Sequence, residues 1–369
     1  MKRQYDFKRT IIFMLLMSMT LALPLQAYGE EAVLDYDLDY FTEIMNLVQK
    51  NYRKDISQEE LLEGALKGLF YNLDEHSHYY IKEEFQALNE DLNGDFVGIG
   101  VYIMEEDGYI KVIAPIEGSP AYKAGIKPGD IIEKVDGKDI KNMTTVESSN
   151  LMKGKAGTSV KLGIKRGKET KTFTVKREEV KINPISYEIL DKKIGYIKIS
   201  QFNQYTYTNM TKTLNQLDKN KVTNIIVDVR DNPGGYLDEV IEICKLFIPE
   251  GPIVHIKDRT KNIETYNSGL KKPKYKLVVL VNEYSASASE IFAGAVQDRK
   301  VGQIVGVTTY GKGTVQQVIP LPYGDGMKLT IAEYLTPNKT SIDGKGIKPD
   351  VIVEDKDQQL KKAVEILKK

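Results

Sequence analysis

The segment KLVVLVNEYSASASE (residues 276–290) begins with an apolar run and ends with alternating serine and alanine residues. The five apolar residues 277–281 are typical of a strand that is buried on both faces. The segment from Ser285 to Asp298 is predicted to be a helix. A buried strand that leads into a helix is the unit of a largely parallel sheet, so we expect an α/β fold. Functional groups in such folds lie beyond the carboxyl ends of the strands.

The alternation of strands and helices continues on both sides of this segment. Strands are predicted at residues 193–199, 224–230 and 276–281, and helices at residues 208–217, 237–247, 285–298 and 360–367. Residues 35–92 have apolar residues at helical spacing, which predicts two or three helices. A turn is predicted at residues 72–80. His76 and His78 lie in this turn, but no further ligand pattern supports a metal site there.

Residues 94–180 are rich in glycine and alternate between apolar and polar residues. Residues 118–125 contain serine, proline and glycine at the positions that begin and end a short helix. Together with the strands around it, this region resembles a PDZ domain of the bacterial protease-associated type. The stretch Gly98-Ile99-Gly100 matches the carboxylate-binding loop of that family. Consecutive backbone N–H groups can bind an anion, and an adjacent strand edge can take up a peptide.

The N-terminus has the pattern of a signal peptide. Basic residues at positions 2–9 precede an apolar run at residues 11–23, which small residues follow. The run is short for a transmembrane helix, which needs about 20 apolar residues, although retention as an uncleaved anchor remains the alternative. We therefore expect an exported protein that acts in the periplasm or at the outer face of the cell membrane.

Composition excludes several classes of protein. The 369 residues include 52 basic and 52 acidic side chains, so no net positive charge favours nucleic acid. The single cysteine, Cys244, allows neither a disulfide framework nor a cysteine zinc site. It lies in an apolar helical pattern, which indicates a buried structural thiol. We expect no metal and no cofactor.

Three serines, Ser285, Ser287 and Ser289, alternate with alanine where the chain enters the predicted helix. The ordinary interpretation of such serines is helix capping. Three of them are more than a cap requires, and their small neighbours leave room for a substrate backbone. A serine oxygen at a helix N-terminus also lies where developing negative charge is stabilised.

Lys312 lies between two glycines, in TTYGKGTVQQ (residues 308–317). A solvated turn residue is the ordinary interpretation. The residues that follow are strand-like, however, which places Lys312, Thr314 and Gln316 on one face. A serine nucleophile needs a base, and the chain has three histidines and no Gly-x-Ser-x-Gly elbow, so a lysine is the credible candidate. Burial must keep that amine neutral.

Three segments resemble the signatures of the carboxyl-terminal processing peptidases: SASASE at residues 285–290, YGKG at 310–313 with Gln316, and RDNPGG at 230–235. The similarity extends from about Asp39 to Val353. It implies a crotonase-like or ClpP-like α/β core with an inserted PDZ domain. Two departures stand out. Glu75 stands where the family usually has proline. Met152-Lys153-Gly154 stands where the family has Leu-Arg-Gly, so lysine replaces an arginine that could help couple peptide binding to activation.

The resemblance also implies a role for each site residue. Ser287 is the nucleophile, Lys312 is the general base and Gln316 orients the lysine, as in known Ser-Lys dyads. The oxyanion hole combines the N–H of Ala288 with one from Gly234 or Gly235.

We expect a signal peptide or anchor at residues 1–29, a helical region at 30–92, a PDZ domain at 93–180 and an α/β peptidase core at 181–369. The expected function is endoproteolysis of exported proteins near an apolar, free C-terminus, which the PDZ domain recognises. Partners are protein or peptide substrates, with a homodimer or higher oligomer as the assembly. The alternatives are a catalytically silent PDZ scaffold at the cell envelope and a crotonase-like acyl-CoA enzyme, which export disfavours.

Overall fold

The structure is a computed structural model that describes residues 38–191 and 193–369. The predicted signal segment 1–29 lies outside these residues. The boundary between two compact units falls after Ala65. None of the helices in the described part of the chain is long and apolar enough to cross a membrane. Those helices are α1 (Leu38–Asn51), α2 (Gln58–Tyr71), α3 (Lys82–Asn93), α4 (Pro120–Lys123), α5 (Thr145–Met152), α6 (Thr206–Lys219), α7 (Leu237–Phe247), α8 (Ala288–Asp298) and α9 (Lys356–Lys368).

The strands of the described residues form four sheets. The first nine strands are β1 (His78–Tyr80), β2 (Asp95–Gly98), β3 (Val101–Glu106), β4 (Tyr109–Pro115), β5 (Ile131–Val135), β6 (Lys138–Asp139), β7 (Ser159–Arg166), β8 (Glu169–Lys176) and β9 (Glu178–Lys181). The remaining strands are β10 (Ile185–Leu190), β11 (Ile194–Ile199), β12 (Asn224–Asp228), β13 (Gly251–Asp258), β14 (Ile263–Ser268), β15 (Lys276–Val281), β16 (Gly302–Gly306), β17 (Thr314–Pro320), β18 (Gly326–Leu335) and β19 (Val351–Ile352).

The central sheet has the order β10-β11-β12-β15-β16-β19 and is parallel except for β10. Successive residues of a strand point to opposite faces. Ile225 and Val227 therefore join the large core cluster that includes residues of α6, α7 and α8, whereas Ile226 and Val278 join a second cluster with residues of α9. The prediction of an α/β core with a mostly parallel, buried sheet is confirmed.

A second, antiparallel sheet was not predicted. Its strands follow the order β1-β18-β13-β14, and β17 pairs with β18. The turn predicted at residues 72–80 is wrong for its last three residues, because His78–Tyr80 form β1 and pair with β18. A strand of three residues has too little periodicity to be recognised, and its partner is distant in sequence.

The glycine-rich region forms a separate sheet with the order β3-β4-β5-β7-β8. Ile110, Ile132 and Leu162 are fully buried in its core. β2 and β9 pair where the chain enters and leaves this module. β3 lies at the edge of the sheet, which leaves one side of the strand without a strand partner.

Candidate active site

Ser287 lies immediately before α8, about six residues beyond the carboxyl end of β15. Its backbone has φ 53° and ψ −113°, a conformation that non-glycine residues rarely adopt. Such strain persists only where the surroundings fix it, and it clusters at functional sites. Ser287 is partly exposed, whereas its neighbours Ala286 and Ala288 are buried. The fold therefore presents one serine of the alternating set to the surface.

The other two serines hold the turn together. Ser285 and Ser289 are fully buried. Ser285 Oγ donates to the carbonyl of Val229 at 2.8 Å, and Ser289 Oγ donates to that of Asn232 at 3.0 Å. Their hydroxyls tie α8 and the turn before it to the chain beyond β12. The helix begins at Ala288 rather than at the predicted Ser285, because Ser285 is held in this turn.

Glu290, in the first turn of α8, joins the segments of the two candidate catalytic residues. Its side chain is fully buried. Oε2 accepts from the backbone N–H of Ser287 at 2.8 Å and from that of Lys312 at 3.0 Å. Oε1 accepts from the Thr309 hydroxyl at 2.6 Å and from the N–H of Gly311 at 2.7 Å. One carboxylate thus connects residues 282–287, the serine turn, with residues 309–313, the lysine loop.

Lys312 is half-buried and lies two residues before the start of β17, a strand of the antiparallel sheet. Burial lowers the pKa of its amine, and the positive charge of Lys328 lowers it further. The carboxylates of Glu290, Asp74 and Glu75 act in the opposite direction. Within residues 38–191 and 193–369, no hydrogen bond joins Lys312 Nζ to Ser287 Oγ.

Gln316 lies on β17, on the same face as Thr314. Its side-chain nitrogen donates to Thr314 Oγ1 at 2.9 Å and to Thr330 Oγ1 at 3.1 Å. The Thr330 hydroxyl in turn donates to Asp74 Oδ1 at 3.0 Å. This chain of bonds connects Gln316 to the turn at residues 72–77, and no bond to Lys312 forms among the described residues. Sequence reasoning did not find Asp74 or Thr330, whose neighbours come from distant parts of the chain.

The loop that contains Gly234 lies against Ser287. A Cβ at Gly234 would lie 2.8 Å from Ser287 Cβ and 3.1 Å from the nitrogen of Ala288. The N–H of Gly234 already donates to Asn232 Oδ1 at 2.8 Å. Among the described residues, the N–H groups of Ala288 and Gly235 have no hydrogen-bond acceptor. The close approach of the loop explains why residue 234 lacks a side chain.

The PDZ-like module has a groove between β3 and α5, with a cavity of about 280 Å³. Gly98, Ile99 and Gly100 line it. Gly100 has φ 77°, and a Cβ there would lie 2.4 Å from Ser119 Cβ. The other lining residues are Ala87, Glu90, Asp91, Phe96, Val101, Tyr102, Ile103, Ile116, Ser149, Met152, Lys153 and Ile182.

The end of this groove contacts α3, which lies outside the module. Lys153 Nζ forms an ion pair with Glu90 of α3 at 2.5 Å and lies 5.6 Å from the centre of the Phe96 ring. Glu90 is mostly buried. The lysine in the Met152-Lys153-Gly154 sequence therefore connects the groove to the helix that precedes the module.

Comparisons with family models identify both parts of the chain. The model of peptidase family S41 matches residues 193–353, and the PDZ domain model matches residues 97–176. The chain is 36% identical over 326 residues to the carboxy-terminal-processing protease of Bartonella bacilliformis, which covers 85% of this chain and 74% of that protein. It is 37% identical over 323 residues to a probable CtpA-like serine protease of Staphylococcus aureus, which covers 86% of this chain. The chain spans 65% of the length of the staphylococcal protein.

Solved structures agree with these matches. The photosystem II D1 C-terminal processing protease has a TM-score of 0.52 at 27% identity, over 89% of this chain and 96% of that one. A putative S41 protease from Bacteroides fragilis has a TM-score of 0.52 at 15% identity, over 87% of this chain and 92% of that one, and its likeness concerns the fold alone. By fold, by family model and by its curated relatives, this chain belongs to the carboxy-terminal-processing serine proteases of peptidase family S41.

Proposed function

We propose that the chain is a serine endopeptidase in which Ser287 is the nucleophile and Lys312 is the general base. The observation that carries this proposal is that one buried carboxylate, Glu290, binds the backbone N–H groups of both residues. A strained serine at a helix N-terminus and a lysine with a lowered pKa are the groups that such a dyad requires.

The proposed reaction proceeds in two steps. Neutral Lys312 accepts the hydroxyl proton of Ser287 as the serine oxygen attacks the scissile carbonyl, and the lysine then protonates the leaving amine. This leaves an ester on Ser287 and releases the C-terminal fragment. Lys312 next accepts a proton from water, which attacks the ester, and then gives that proton to the serine oxygen as the second product leaves, which restores both groups. Gln316, through its side-chain oxygen, is proposed to orient the amine.

The oxyanion of each tetrahedral intermediate needs two donors. Ala288 N–H lies at the start of α8 and has no other acceptor among the described residues. For the second donor, Gly234 and Gly235 were both candidates from sequence. We propose Gly235, because the N–H of Gly234 is engaged by Asn232. Gly234 then serves by leaving space beside Ser287.

We further propose that the PDZ groove binds the free, apolar C-terminus of a protein substrate. The loop Gly98-Ile99-Gly100 supplies backbone N–H groups for a carboxylate, and the edge strand β3 offers main-chain partners. The apolar lining favours apolar terminal side chains. The printed names of the Bartonella relative and of the D1 protease refer to carboxy-terminal processing, and they support this assignment.

The remaining proposals rest on sequence. Residues 1–29 would direct export, with attachment to the membrane if the segment is retained, and the enzyme would act at the cell envelope as a homodimer or higher oligomer. We propose the domain limits 30–92, 93–180 and 181–369. The helices on both faces of the central sheet support a crotonase-like or ClpP-like core.

Cleavage of an unfolded protein with an apolar C-terminus tests the proposal. Wild type is expected to cleave it, and Ser287→Ala and Lys312→Ala are expected to lose at least about 1,000-fold in kcat, because the dyad acts as a unit. Amidation of the substrate's C-terminus is expected to raise KM without an equal change in kcat. Equal cleavage by all three proteins would exclude the dyad and favour a silent scaffold, and indifference to amidation would exclude the PDZ role.

A further inference from the structure

Tyr334, on β18, contacts backbone carbonyl groups of both the serine turn and the lysine loop. Its ring is only 2% exposed. Its hydroxyl lies 3.1 Å from the carbonyl oxygen of Ser287 and also binds that of Lys312. The backbone N–H of Tyr334 donates to the carbonyl of Gly313 at 2.9 Å. The tyrosine is therefore fixed to the lysine loop at both its backbone and its hydroxyl.

Tyr334 and Glu290 act on opposite backbone groups of the same two residues. Glu290 accepts from the N–H groups of Ser287 and Lys312, and Tyr334 reaches their carbonyl oxygens. The carbonyl of Ser287 has further donors in α8, namely the N–H groups of Glu290 and Ile291. Among the described residues, the carbonyl of Lys312 has Tyr334 alone as its donor. The lysine loop is consequently the part that depends most on the tyrosine.

The charge states of Glu290 and Tyr334 depend on their hydrogen-bond partners and on their burial. Four donors bind the Glu290 carboxylate, namely the Thr309 hydroxyl and the backbone N–H groups of Ser287, Gly311 and Lys312. The Thr309 hydroxyl also accepts from the N–H of Ile347. Burial raises the pKa of the Glu290 carboxyl, whereas the hydrogen bonds from these four donors act in the opposite direction and stabilise the ionised form. Burial and the charge of Glu290 raise the pKa of the Tyr334 hydroxyl, which keeps it a donor.

We propose that Tyr334, together with Glu290, is a positioning residue that fixes the backbone of Lys312 relative to that of Ser287. This inference rests on the proposed function of the dyad. Neither residue touches the reacting atoms. Both set the distance over which the amine must reach the serine hydroxyl, and a displacement of about 1 Å can cost about 100-fold in rate.

The principal test is Tyr334→Phe in the full chain, with Tyr275→Phe as the matched control. Tyr275 is a partly buried tyrosine whose hydroxyl likewise donates a hydrogen bond, in its case to the Asp218 carboxylate at 2.6 Å. We expect Tyr334→Phe to lower kcat about 100-fold with little change in KM. Tyr275→Phe is expected to retain the kcat of the wild type. Circular dichroism and the thermal midpoint of each variant report whether it folds.

Glu290→Gln adds a second readout, because it removes a charge as well as two acceptor sites. The charged groups that act on Lys312 are Lys328, Glu290, Asp74 and Glu75, and His76 lies within electrostatic reach. Without the Glu290 charge, the pKa of Lys312 falls, so the acid limb of kcat/KM moves to lower pH. Tyr334→Phe leaves that limb in place. If Glu290→Gln acted only by destabilising the fold, the amount of folded enzyme would fall and the acid limb of kcat/KM would stay at the pH of the wild type.

The double variant tests whether the two residues act together. Residues that fix one geometry have non-additive effects, so Tyr334→Phe with Glu290→Gln is expected to lose little more than Glu290→Gln alone. A folded Tyr334→Phe with kcat within about threefold of the wild type overturns the proposal, and this result decides even if Glu290→Gln does not fold. Wild-type cleavage no faster than that of Ser287→Ala would instead remove the dyad, and this proposal with it.

Discussion

Lys312 determines the proton balance of the proposed reaction, because only its neutral form accepts the serine proton. The positive charge of Lys328 lowers the pKa of this amine. Lys328→Met removes that charge, so the pKa of Lys312 rises and a smaller fraction is neutral at pH 7. We expect kcat/KM at neutral pH to fall, the acid limb of its pH profile to move to higher pH, and activity to recover in alkaline solution.

Lys212→Met is the matched control for this prediction. Lys212 is an exposed lysine of α6, and its loss changes the net charge by the same amount. Its pH profile is expected to overlay that of the wild type. A Lys328→Met profile that falls at every pH without moving would show that Lys328 acts through structure rather than through its charge.

Sequence selected some residues of the site and missed others. Ser287 can be recognised because serine and alanine alternate around it, and Lys312 because it lies between two glycines. Glu290 is part of the SASASE segment, but its role follows from a loop some twenty positions further along the chain. Tyr334 lies in a strand that was not predicted, and its contacts with Ser287 and Lys312 depend wholly on tertiary structure. Local pattern cannot report such contacts.

At the scale of the elements, α9 is attached to the central sheet through a buried ion pair. Arg230 and Asp228 are 8% and 1% exposed and form two hydrogen bonds from Arg230 Nε. Arg230 Nη1 continues to the carbonyl of Lys356 and to Gln359 Oε1, each at 3.0 Å. The arginine thus connects the end of β12 with the first turn of α9.

Arg230→Met leaves the Asp228 carboxylate buried without its charge partner. Removing one member of a buried pair costs about 3–5 kcal/mol of unfolding free energy, and we expect a loss of that size in urea denaturation. Lys245→Met breaks an exposed pair with Glu242 and is expected to cost under about 1 kcal/mol. Equal losses for the two variants would mean that the pair does not hold α9 to the sheet.

The elements that sequence predicted share long, regular periodicity. The apolar runs of β12 and β15 and the helices α6 and α7 were recognised from it. β1 was not, and neither was the sheet formed by β13, β14, β17 and β18. β17 was recognised only as a strand-like stretch after Lys312. Buried and exposed residues do not alternate regularly along these strands, so their apolar pattern is weak. These strands form by pairing with strands that are distant in sequence, which a local pattern does not show.

At the scale of the whole molecule, the PDZ domain is inserted between α3 and β10 of the peptidase part. β2 and β9 form the paired entry and exit strands, and the N–H of Ile182 donates to the carbonyl of Gly94 at 2.7 Å beside them. The ion pair between Lys153 and Glu90 adds a contact from the groove to α3. The chain therefore offers a short structural connection between the groove and the peptidase part.

The central claim is that Ser287 becomes acylated with Lys312 as the base, and trapping the acyl-enzyme tests it most directly. A slowly hydrolysed peptide ester is mixed with the enzyme, the reaction is quenched in acid, and the adduct is located by mass spectrometry. We predict an adduct on Ser287 in the wild type that forms faster as pH rises, and none at neutral pH in Lys312→Ala. An adduct on Ser285 or Ser289, or equal rates with and without Lys312, would contradict the account.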